Sequence, residues 1–263
     1  MKDEIRLVEK LAMNAWPAEV VEPLDGWRMR WHRAPSRRVN SVWPNEWEGQ
    51  IPLAIKLERV EFFYALREQL ARYQICPAAQ PAGLDEILEA RGYTVDARTA
   101  VQVAEVRKVL ERLRPSLLPP MGEERKDIQV FEMLTDEWLE GYCLAQDASL
   151  NQMSYRRLAL SLVQEPSVYV LVQVDGQDAA VGRGVLEQDW LGVFGMSTRA
   201  EFRRRGLATS VLSTLARWAQ EHGAGQMYLQ VMENNPGAKA LYENVGFETL
   251  YHYHYREKKL SAH

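Results

Sequence analysis

The feature of this sequence that most constrains its fold is a strand, a basic loop and a helix in immediate succession. Residues 190–196 form an apolar run typical of a strand. The following helix repeats its apolar residues at spacings of four, four and three, at Leu207, Val211, Leu215 and Trp218. The first N–H groups of a helix have no partner within it, and the helix dipole is positive there. Such a helix start suits an anion, and phosphate is the usual one.

The loop before this helix adds positive charge and little bulk. Arg203, Arg204 and Arg205 precede Gly206, and Ala208 follows Gly206 after one intervening residue. The small residues allow a pyrophosphate to approach the backbone closely. On this stretch alone, a solvated charge cluster is an equal alternative.

A second pattern follows at the next strand. Residues 226–231 indicate a strand, and Asn235 then provides a helix N-cap with Pro236 at the first helical position. Gly246 fits the end of that helix. The chain therefore repeats a strand and a helix directly after the basic loop.

Together the two stretches resemble the GNAT acetyltransferase superfamily. The family's phosphate-loop pattern, Arg or Gln, two residues, Gly, one residue, then Gly or Ala, is met by Arg203, Gly206 and Ala208. Its second pattern places an Asn seven residues before a Tyr in a short helix that ends in Gly-Phe. Here those positions are Asn235, Tyr242, Gly246 and Phe247.

The resemblance implies an N-acetyltransferase that transfers an acetyl group from acetyl-CoA to a primary amine by direct attack. It implies that the edge of the strand at Met196, Ser197 and Thr198 binds the pantetheine arm and offers N–H groups to a developing oxyanion. The pyrophosphate is expected over the backbone of Arg203, Arg204, Arg205, Gly206, Leu207, Ala208 and Thr209.

Two further residues receive roles from the resemblance. Asn235 is expected to contact the cofactor arm, and Tyr242 is expected to be the general acid. A phenol with a pKa of about 10 is protonated at neutral pH and can donate to a departing thiolate. Core packing in an amphipathic helix is the alternative for Tyr242 when the surrounding motif is left out.

The general base stays open at this point. Many relatives place a Glu in the strand before the loop, but residues 190–196 contain no carboxylate. Glu233 is a candidate, Glu187 and Asp189 are others, and a chain of water molecules is a further alternative. The absent strand carboxylate also keeps a second function open, a non-catalytic acyl-CoA-binding or regulatory module.

The chain of 263 residues is long enough for two domains. Residues 114–127 contain three prolines and a charge run and are the most linker-like segment. Arg91-Gly92-Tyr93 ends a helix in the manner of residues 245–247, which suggests that the first half repeats the second. The first half carries neither motif, so acetyl-CoA is expected to bind once per chain.

The resulting fold prediction is α/β (α+β), with two tandem GNAT-like domains, each a mixed and mostly antiparallel sheet flanked by helices. The domains are predicted at 1–113 and 128–263, the first being degenerate and shaping the acceptor pocket. Local predictions include a helix at 3–15 with Glu9 on its solvated face, a strand at 38–43 and a helix at 53–71. Asp175-Gly176 predicts a hairpin turn.

Composition excludes several function classes. The net charge of -4 argues against general nucleic-acid binding. Two cysteines are too few for a disulfide framework, and no apolar run reaches the length of a membrane span, so we expect a cytoplasmic protein. His252 and His254 share a strand face, where an aromatic terminal strand is favoured over a metal site. The expected partners are acetyl-CoA and a small-molecule or protein amine, and the oligomeric state is not predicted.

Overall fold

The computed structural model describes residues 1–113 and 126–260 and contains two compact units. The first unit comprises residues 1–101 and 232–234 together with the C-terminal residues from 250. The second comprises 102–231 and 235–249. The predicted linker, 114–127, lies outside the described residues except for its last two, which begin a strand. The predicted domain boundaries at 113 and 128 stay predictions.

The described residues of the first unit form three α-helices and most of six strands. Its helices are α1 (Lys2–Asn14), α2 (Leu53–Ala65) and α3 (Leu84–Ala90). Its strands are β1 (Val20–Leu24), β2 (Trp27–Trp31), β3 (Val42–Trp43), β4 (Ala71–Ile75), β5 (Thr94–Glu105) and β11 (Glu248–Lys258). They follow the order β1-β2-β3-β4-β11-β5 across the sheet. Fully buried Trp27 and Tyr73 meet edge to face in the core of this unit, with ring centroids 5.7 Å apart.

Two local predictions in the first unit are wrong. The predicted strand at 38–43 is a 3-10 helix, Arg37–Val39, followed by the two-residue strand β3. The buried Asn40 side chain explains the change: its Nδ2 donates to the carbonyls of Ala34 and Ser36, at 2.7 and 3.0 Å, and its Oδ1 accepts from the His32 N–H. These bonds satisfy backbone groups of the loop, so the segment does not need a neighbouring strand.

The helix predicted at 53–71 ends at Ala65. Glu68 has a φ of 51°, which reverses the chain, and β4 begins at Ala71. Leu70 fits the helical spacing of apolar residues because it stands next to the buried strand β4, not because the helix continues to it. The predicted helix at 3–15 is confirmed as α1, and the hairpin turn at Asp175-Gly176 is confirmed by φ angles of 51° and 77°.

The ends of α3 and of the later helix α8 (Pro236–Asn244) have the same geometry. Gly92 and Gly246 have φ angles of 84° and 100°. The Tyr93 N–H donates to the Leu88 carbonyl, and the Phe247 N–H donates to the Tyr242 carbonyl, each at 3.0 Å. These are the bonds of a Schellman end, which favours glycine at the left-handed position. The similarity of the two halves noted in the sequence is therefore present in the backbone.

The second unit contains the helices α4 (Val106–Arg112), α5 (Asp136–Ala145), α6 (Leu150–Ser161), α7 (Leu207–Glu221) and α8. Its strands are β6 (Lys126–Phe131), β7 (Ser167–Val174), β8 (Gln177–Glu187), β9 (Trp190–Thr198) and β10 (Gln226–Met232). They follow the order β10-β9-β8-β7-β6, in which only β10 and β9 are parallel among the pairings described for these five strands.

Helices α5 and α7 cover opposite faces of this sheet. Val181 of β8 faces Gly141 of α5, and the next residue, Gly182, faces Val211 of α7. Successive strand residues point to opposite faces, so the two helices enclose the sheet. A Cβ at Gly182 would lie 2.5 Å from Val211 Cγ1, and the close approach of α7 therefore requires glycine there.

Glu9 of α1 corrects the prediction of a solvated face. Its carboxylate is 1% exposed and accepts hydrogen bonds from Tyr251 Oη and Gln74 Nε2, each at 2.7 Å. Burial raises the pKa of Glu9 to about 7, although the hydrogen bond from Tyr251 and the nearby Arg30 oppose the rise. The periodicity of α1 placed Glu9 next to charged neighbours, but its polar partners come from β4 and β11, which are remote in sequence.

We expect the stability of the protein to fall as pH rises from about 4.5 to 7 through Glu9. The folded state holds a proton on Glu9 in this window that the unfolded state, with a Glu pKa of about 4.3, has released. The free energy of unfolding should therefore decrease by about 2–3 kcal/mol. Glu9→Gln cannot ionise and should lose this part of the pH dependence. Urea unfolding at pH 5 and pH 8 measures it.

The exposed Glu4, on the same helix, provides the control, because Glu4→Gln should leave the pH dependence of the wild type unchanged. Equal changes in unfolding free energy between pH 5 and pH 8 for the wild type and Glu9→Gln would contradict the assignment.

Candidate active site

The parallel strands β9 and β10 pair over only part of their length among the described residues. Their register runs from Trp190 opposite Gln226 to Val193 opposite Leu229. Beyond this last pair, residues 194–198 of β9 continue without a described partner on β10. The carboxyl ends of parallel strands lie at the same edge of a sheet, so the gap opens where β9 and β10 lead into their loops.

A β-bulge bends β9 at the start of this gap. Val181 of β8 pairs with Ser197, and Arg183 pairs with Phe194, so two residues of β9 oppose the single Gly182. One of the two is Gly195, with a φ of 63°. A bulge that contains a left-handed glycine sharpens the bend of its strand. The bulge therefore directs Met196, Ser197 and Thr198 away from β10.

Helix α5 supports the bent segment from one face of the sheet. Trp138 and Tyr142 stack with ring centroids 5.0 Å apart, and a Cβ at Gly195 would lie 3.4 Å from Tyr142 Cε2. Ser197 Oγ donates to the Ala145 carbonyl at 2.9 Å. The backbone of residues 196–198 is thus held by side-chain contacts while its edge toward β10 stays unpaired among the described residues.

The basic loop lies between β9 and α7, after a 3-10 helix at Ala200–Phe202. All three arginines, Arg203, Arg204 and Arg205, are exposed. Arg203 Nε donates to the Thr198 carbonyl at 3.2 Å, and Arg205 donates to the Glu201 carbonyl at 3.0 Å. The loop is therefore fastened to the end of β9 with its positive charge facing solvent.

Gly206 is the N-cap of α7 and has a φ of 75° with no atom within 4 Å of an added Cβ. No side chain caps this helix start among the described residues. Leu207 is buried, and Ala208 and Thr209 are half-buried in the first turn. The open N–H groups of this turn carry the positive end of the helix dipole. The site can hold an anion on backbone donors beside the three arginines.

Helix α8 begins with a full cap. Asn235 Oδ1 accepts from the Ala238 N–H at 3.1 Å, and Pro236 occupies the first helical position. The cap uses the carbonyl oxygen of the Asn235 side chain. Its amide group is exposed.

Tyr242 lies on the buried face of α8 and is 7% exposed. Its ring meets Phe247 at 5.9 Å, and burial raises the pKa of its phenol to about 12. The hydrogen bonds of residues 1–113 and 126–260 include none from Tyr242 Oη. Because its pKa lies well above 7, the phenol is protonated at neutral pH.

The candidate bases lie in different places. Glu233 belongs to the first unit, and its Oε1 is 3.7 Å from His252 Nε2. Asp189 precedes β9, where its Oδ1 accepts from the Gly225 N–H, and Glu187 pairs with Trp190. Strand β9 carries the chain about 25 Å from there to Thr198. A base at Glu187 or Asp189 would thus act at the opposite end of the strand.

The two histidines of β11 contact acids of the first unit. His254 Nε2 lies 2.9 Å from Asp85 Oδ1, and His252 lies beside Glu233. The described part of the chain holds no group of three or more His, Cys, Asp or Glu side chains that could bind a metal ion. Over the same residues, no helix is both long and apolar enough to cross a membrane.

Sequence reasoning missed the residues that shape β9. Gly195 lies inside the predicted strand at 190–196, and no sequence pattern singles out Trp138 or Tyr142. Two glycines three residues apart, Gly192 and Gly195, are a signal of a bulge that could have been used. The contact between Ser197 and Ala145 has no sequence signal, because it joins residues 52 positions apart.

A family model described as "Probable histone acetyltransferase Rv0428c C-terminal" matches residues 2–256. The "Uncharacterized N-acetyltransferase YobR" of Bacillus subtilis (strain 168) is 27% identical over 260 residues, which cover 98% of this chain and 100% of that protein.

Solved structures show the same fold. A GCN5-related N-acetyltransferase from Kribbella flavida aligns with a TM-score of 0.67 and 17% identity over 99% of this chain and 96% of that chain. A tandem GNAT protein from the clavulanic acid biosynthesis pathway aligns with a TM-score of 0.68 and 13% identity over 96% and 87%. Because the family model covers nearly the whole chain, this protein belongs to the family of the Rv0428c C-terminal region, and it is an acyltransferase of the GNAT superfamily with a tandem architecture.

Proposed function

We propose that this protein transfers an acetyl group from acetyl-CoA to a primary amine in the second unit. The observation that carries the proposal is the end of pairing between β9 and β10 beside an uncapped helix start with three exposed arginines. The gap is suited to an extended chain, and the helix start is suited to a pyrophosphate. Both features lie at the carboxyl end of β9, and the loop from β9 to α7 sets the distance between them.

The start of α7 would hold the pyrophosphate. The N–H groups of Leu207, Ala208 and Thr209 point out of the first turn, and the space around Gly206 is open. Arg203, Arg204 and Arg205 would add charge-assisted contacts from the loop. The fastening of Arg203 to the Thr198 carbonyl keeps this charge near the gap.

The bent end of β9 would align the thioester. Backbone groups of Met196, Ser197 and Thr198 are available on the edge toward β10, where an extended pantetheine arm can pair as an added strand. An N–H of this segment would stabilise charge on the carbonyl oxygen, an effect that is typically about 3 kcal/mol. The exposed amide of Asn235 would contact the same arm from the start of α8.

Tyr242 would donate to the departing sulfur. Its pKa of about 12 keeps the phenol protonated, so the hydroxyl is a permanent donor at neutral pH. Burial disfavours both anions, so it raises the pKa of the departing thiol as well as that of the phenol. Proton transfer from Tyr242 to the sulfur therefore becomes more favourable as the sulfur is desolvated. The missing internal hydrogen-bond partner among the described residues leaves the hydroxyl available for this contact.

Glu233 is the proposed base for the incoming amine. Its backbone is fixed by a 3.0 Å hydrogen bond from its N–H to the Arg98 carbonyl, while its side chain is 41% exposed and can accept a proton from solvent or substrate. A small amine and a protein amine both remain as acceptors. The name of the matching family favours including histone-like lysine peptides in the acceptor panel.

We expect Gly206→Glu to weaken acetyl-CoA binding at least about 100-fold. The new carboxylate would lie at the helix start that holds the pyrophosphate, where it both repels the phosphates and competes for the open N–H groups. Isothermal titration with acetyl-CoA, at one site per chain for the wild type, measures the loss.

Gly223→Glu is the matched control, because Gly223 has a φ of 81°, no atom within 4 Å of an added Cβ, and a position after the other end of the same helix. Gly206→Lys carries the same backbone strain with the opposite charge. Both should retain binding. Normal binding by Gly206→Glu would place the pyrophosphate elsewhere.

Tyr242→Phe should reduce turnover by about 100-fold or more while acetyl-CoA affinity changes less than about threefold. The hydroxyl makes no hydrogen bond within the described residues, so its removal should also leave the melting temperature close to that of the wild type. Thiol release with a responsive amine measures turnover, and titration measures affinity.

Tyr169→Phe, at another buried tyrosine of the second unit, should keep wild-type turnover. Equal losses of turnover and affinity in Tyr242→Phe would reduce Tyr242 to a packing residue. A wild type that binds acetyl-CoA but releases no thiol with any small amine or lysine peptide would instead favour the non-catalytic acyl-CoA-binding module.

A further inference from the structure

An apolar ridge runs along the outer side of α2 in the first unit. Phe62 and Leu66 are each 65% exposed, and Ile55 is 40% exposed. Their spacing of seven and four residues places them on one face of the helix. Glu58 and Arg59, both exposed, occupy the same face between Ile55 and Phe62. We call this set the α2 ridge.

Grooves flank the α2 ridge on both sides. One, of about 580 Å³, lies between α2 and β1 and is lined by Pro23, Leu24 and Met29. The other, of about 500 Å³, lies between α2 and the residues from Lys258 to Leu260. Phe62 and Glu58 line both grooves and form the ridge between them. A ridge beside grooves of similar size is the surface on which two helices interdigitate.

The order of residues along the α2 ridge is self-complementary when the helix is reversed. In such a pair, a second α2 packs antiparallel with the two-fold axis between Glu58 and Arg59. Each residue then faces the residue of the other copy for which the two residue numbers add up to 117. Ile55 then faces Phe62, and Glu58 faces Arg59. Both contacts occur twice, as an isologous interface requires.

The charges at the edges of the ridge support this pairing. Arg67 is paired with Glu22 at 3.2 Å, and Lys258 is paired with Glu61 at 3.1 Å. Within residues 1–113 and 126–260, neither Glu58 nor Arg59 has an ion-pair partner. The ridge has no net charge from this pair, so it offers nothing specific to a nucleic acid or to an anionic membrane. An antiparallel copy supplies the opposite charge to each residue.

We propose that the α2 ridge is a dimer interface that pairs with the α2 ridge of a second copy of this chain. A contact made by one helix pair and its flanks belongs to the small class of interfaces, which bury less than about 1,200 Å² and are weak. The dimer should therefore dissociate at micromolar concentration. The proposal does not depend on the acetyl-CoA site.

Sedimentation velocity of the full chain between about 1 and 200 μM tests the interface. The wild type should shift from monomer to dimer, and Phe62→Glu should weaken the dimer at least about 30-fold by placing four carboxylates around the axis, two of them new. Met133→Glu, at a methionine of the second unit that is 73% exposed, is the matched control and should dimerise normally. All these side chains are exposed, so melting temperatures should stay close to the wild type.

The charge pair provides a test of register. Glu58→Arg places arginines opposite arginines, and Arg59→Glu places carboxylates opposite carboxylates, so each variant alone should dimerise at least about tenfold more weakly than the wild type. An equimolar mixture of the two variants restores opposite charges across the axis. The mixture, and the double variant that exchanges both residues, should regain an affinity within about threefold of the wild type.

Each other outcome overturns the proposal. A wild type that is monomeric at every concentration would leave the ridge to a partner of different chemistry. A dimer that is insensitive to Phe62→Glu, or equally sensitive to Met133→Glu, would use another surface. Loss in the two charge variants without recovery in their mixture would exclude the antiparallel register.

Discussion

The parting of β9 and β10 is the constraint on which the proposed site in the second unit depends. Parallel strands in a closed sheet satisfy each other's backbone groups, and those groups are then unavailable to a substrate. Here the last described pair joins Val193 to Leu229, and the left-handed Gly195 turns the rest of β9 away. The unpaired edge is costly in a free sheet, so its persistence requires support from both faces.

That support comes from two helices with different roles. On one face, the stacked rings of Trp138 and Tyr142 pack under Gly195, and Trp138 Nε1 donates to the carbonyls of Val170 and Gly182 at 3.0 and 3.2 Å. On the other face, α7 approaches β8 closely at Gly182. The helix that supports the sheet thus also begins at the end of the bent strand. Support of the gap and placement of the basic loop are consequences of one packing arrangement.

Local patterns predicted the helices that carry the motifs and missed contacts between elements distant in sequence. Arg203 to Thr209 and Asn235 to Tyr242 could be placed because each depends on a helix start and on residues within one turn. The bulge depends on a register between β8 and β9, which no local spacing encodes. In the first unit, the Asn40 side chain makes three hydrogen bonds that hold a loop where a strand was predicted. Glu9 is buried because its carboxylate accepts hydrogen bonds from Gln74 and Tyr251. Long-range polar contacts overrode local periodicity in each case.

The role proposed for Tyr242 depends on a phenol that keeps its proton. Tyr251 shows how a buried tyrosine hydroxyl is usually satisfied, by donating to Glu9 at 2.7 Å. Tyr242 Oη makes no hydrogen bond within the described residues, and it is not among the buried polar atoms that lack a partner there. Packing against Phe247 uses the ring of Tyr242 and not its hydroxyl. Burial raises the pKa of the phenol to about 12, so the hydroxyl is protonated at neutral pH and can act as the donor that the proposed function requires.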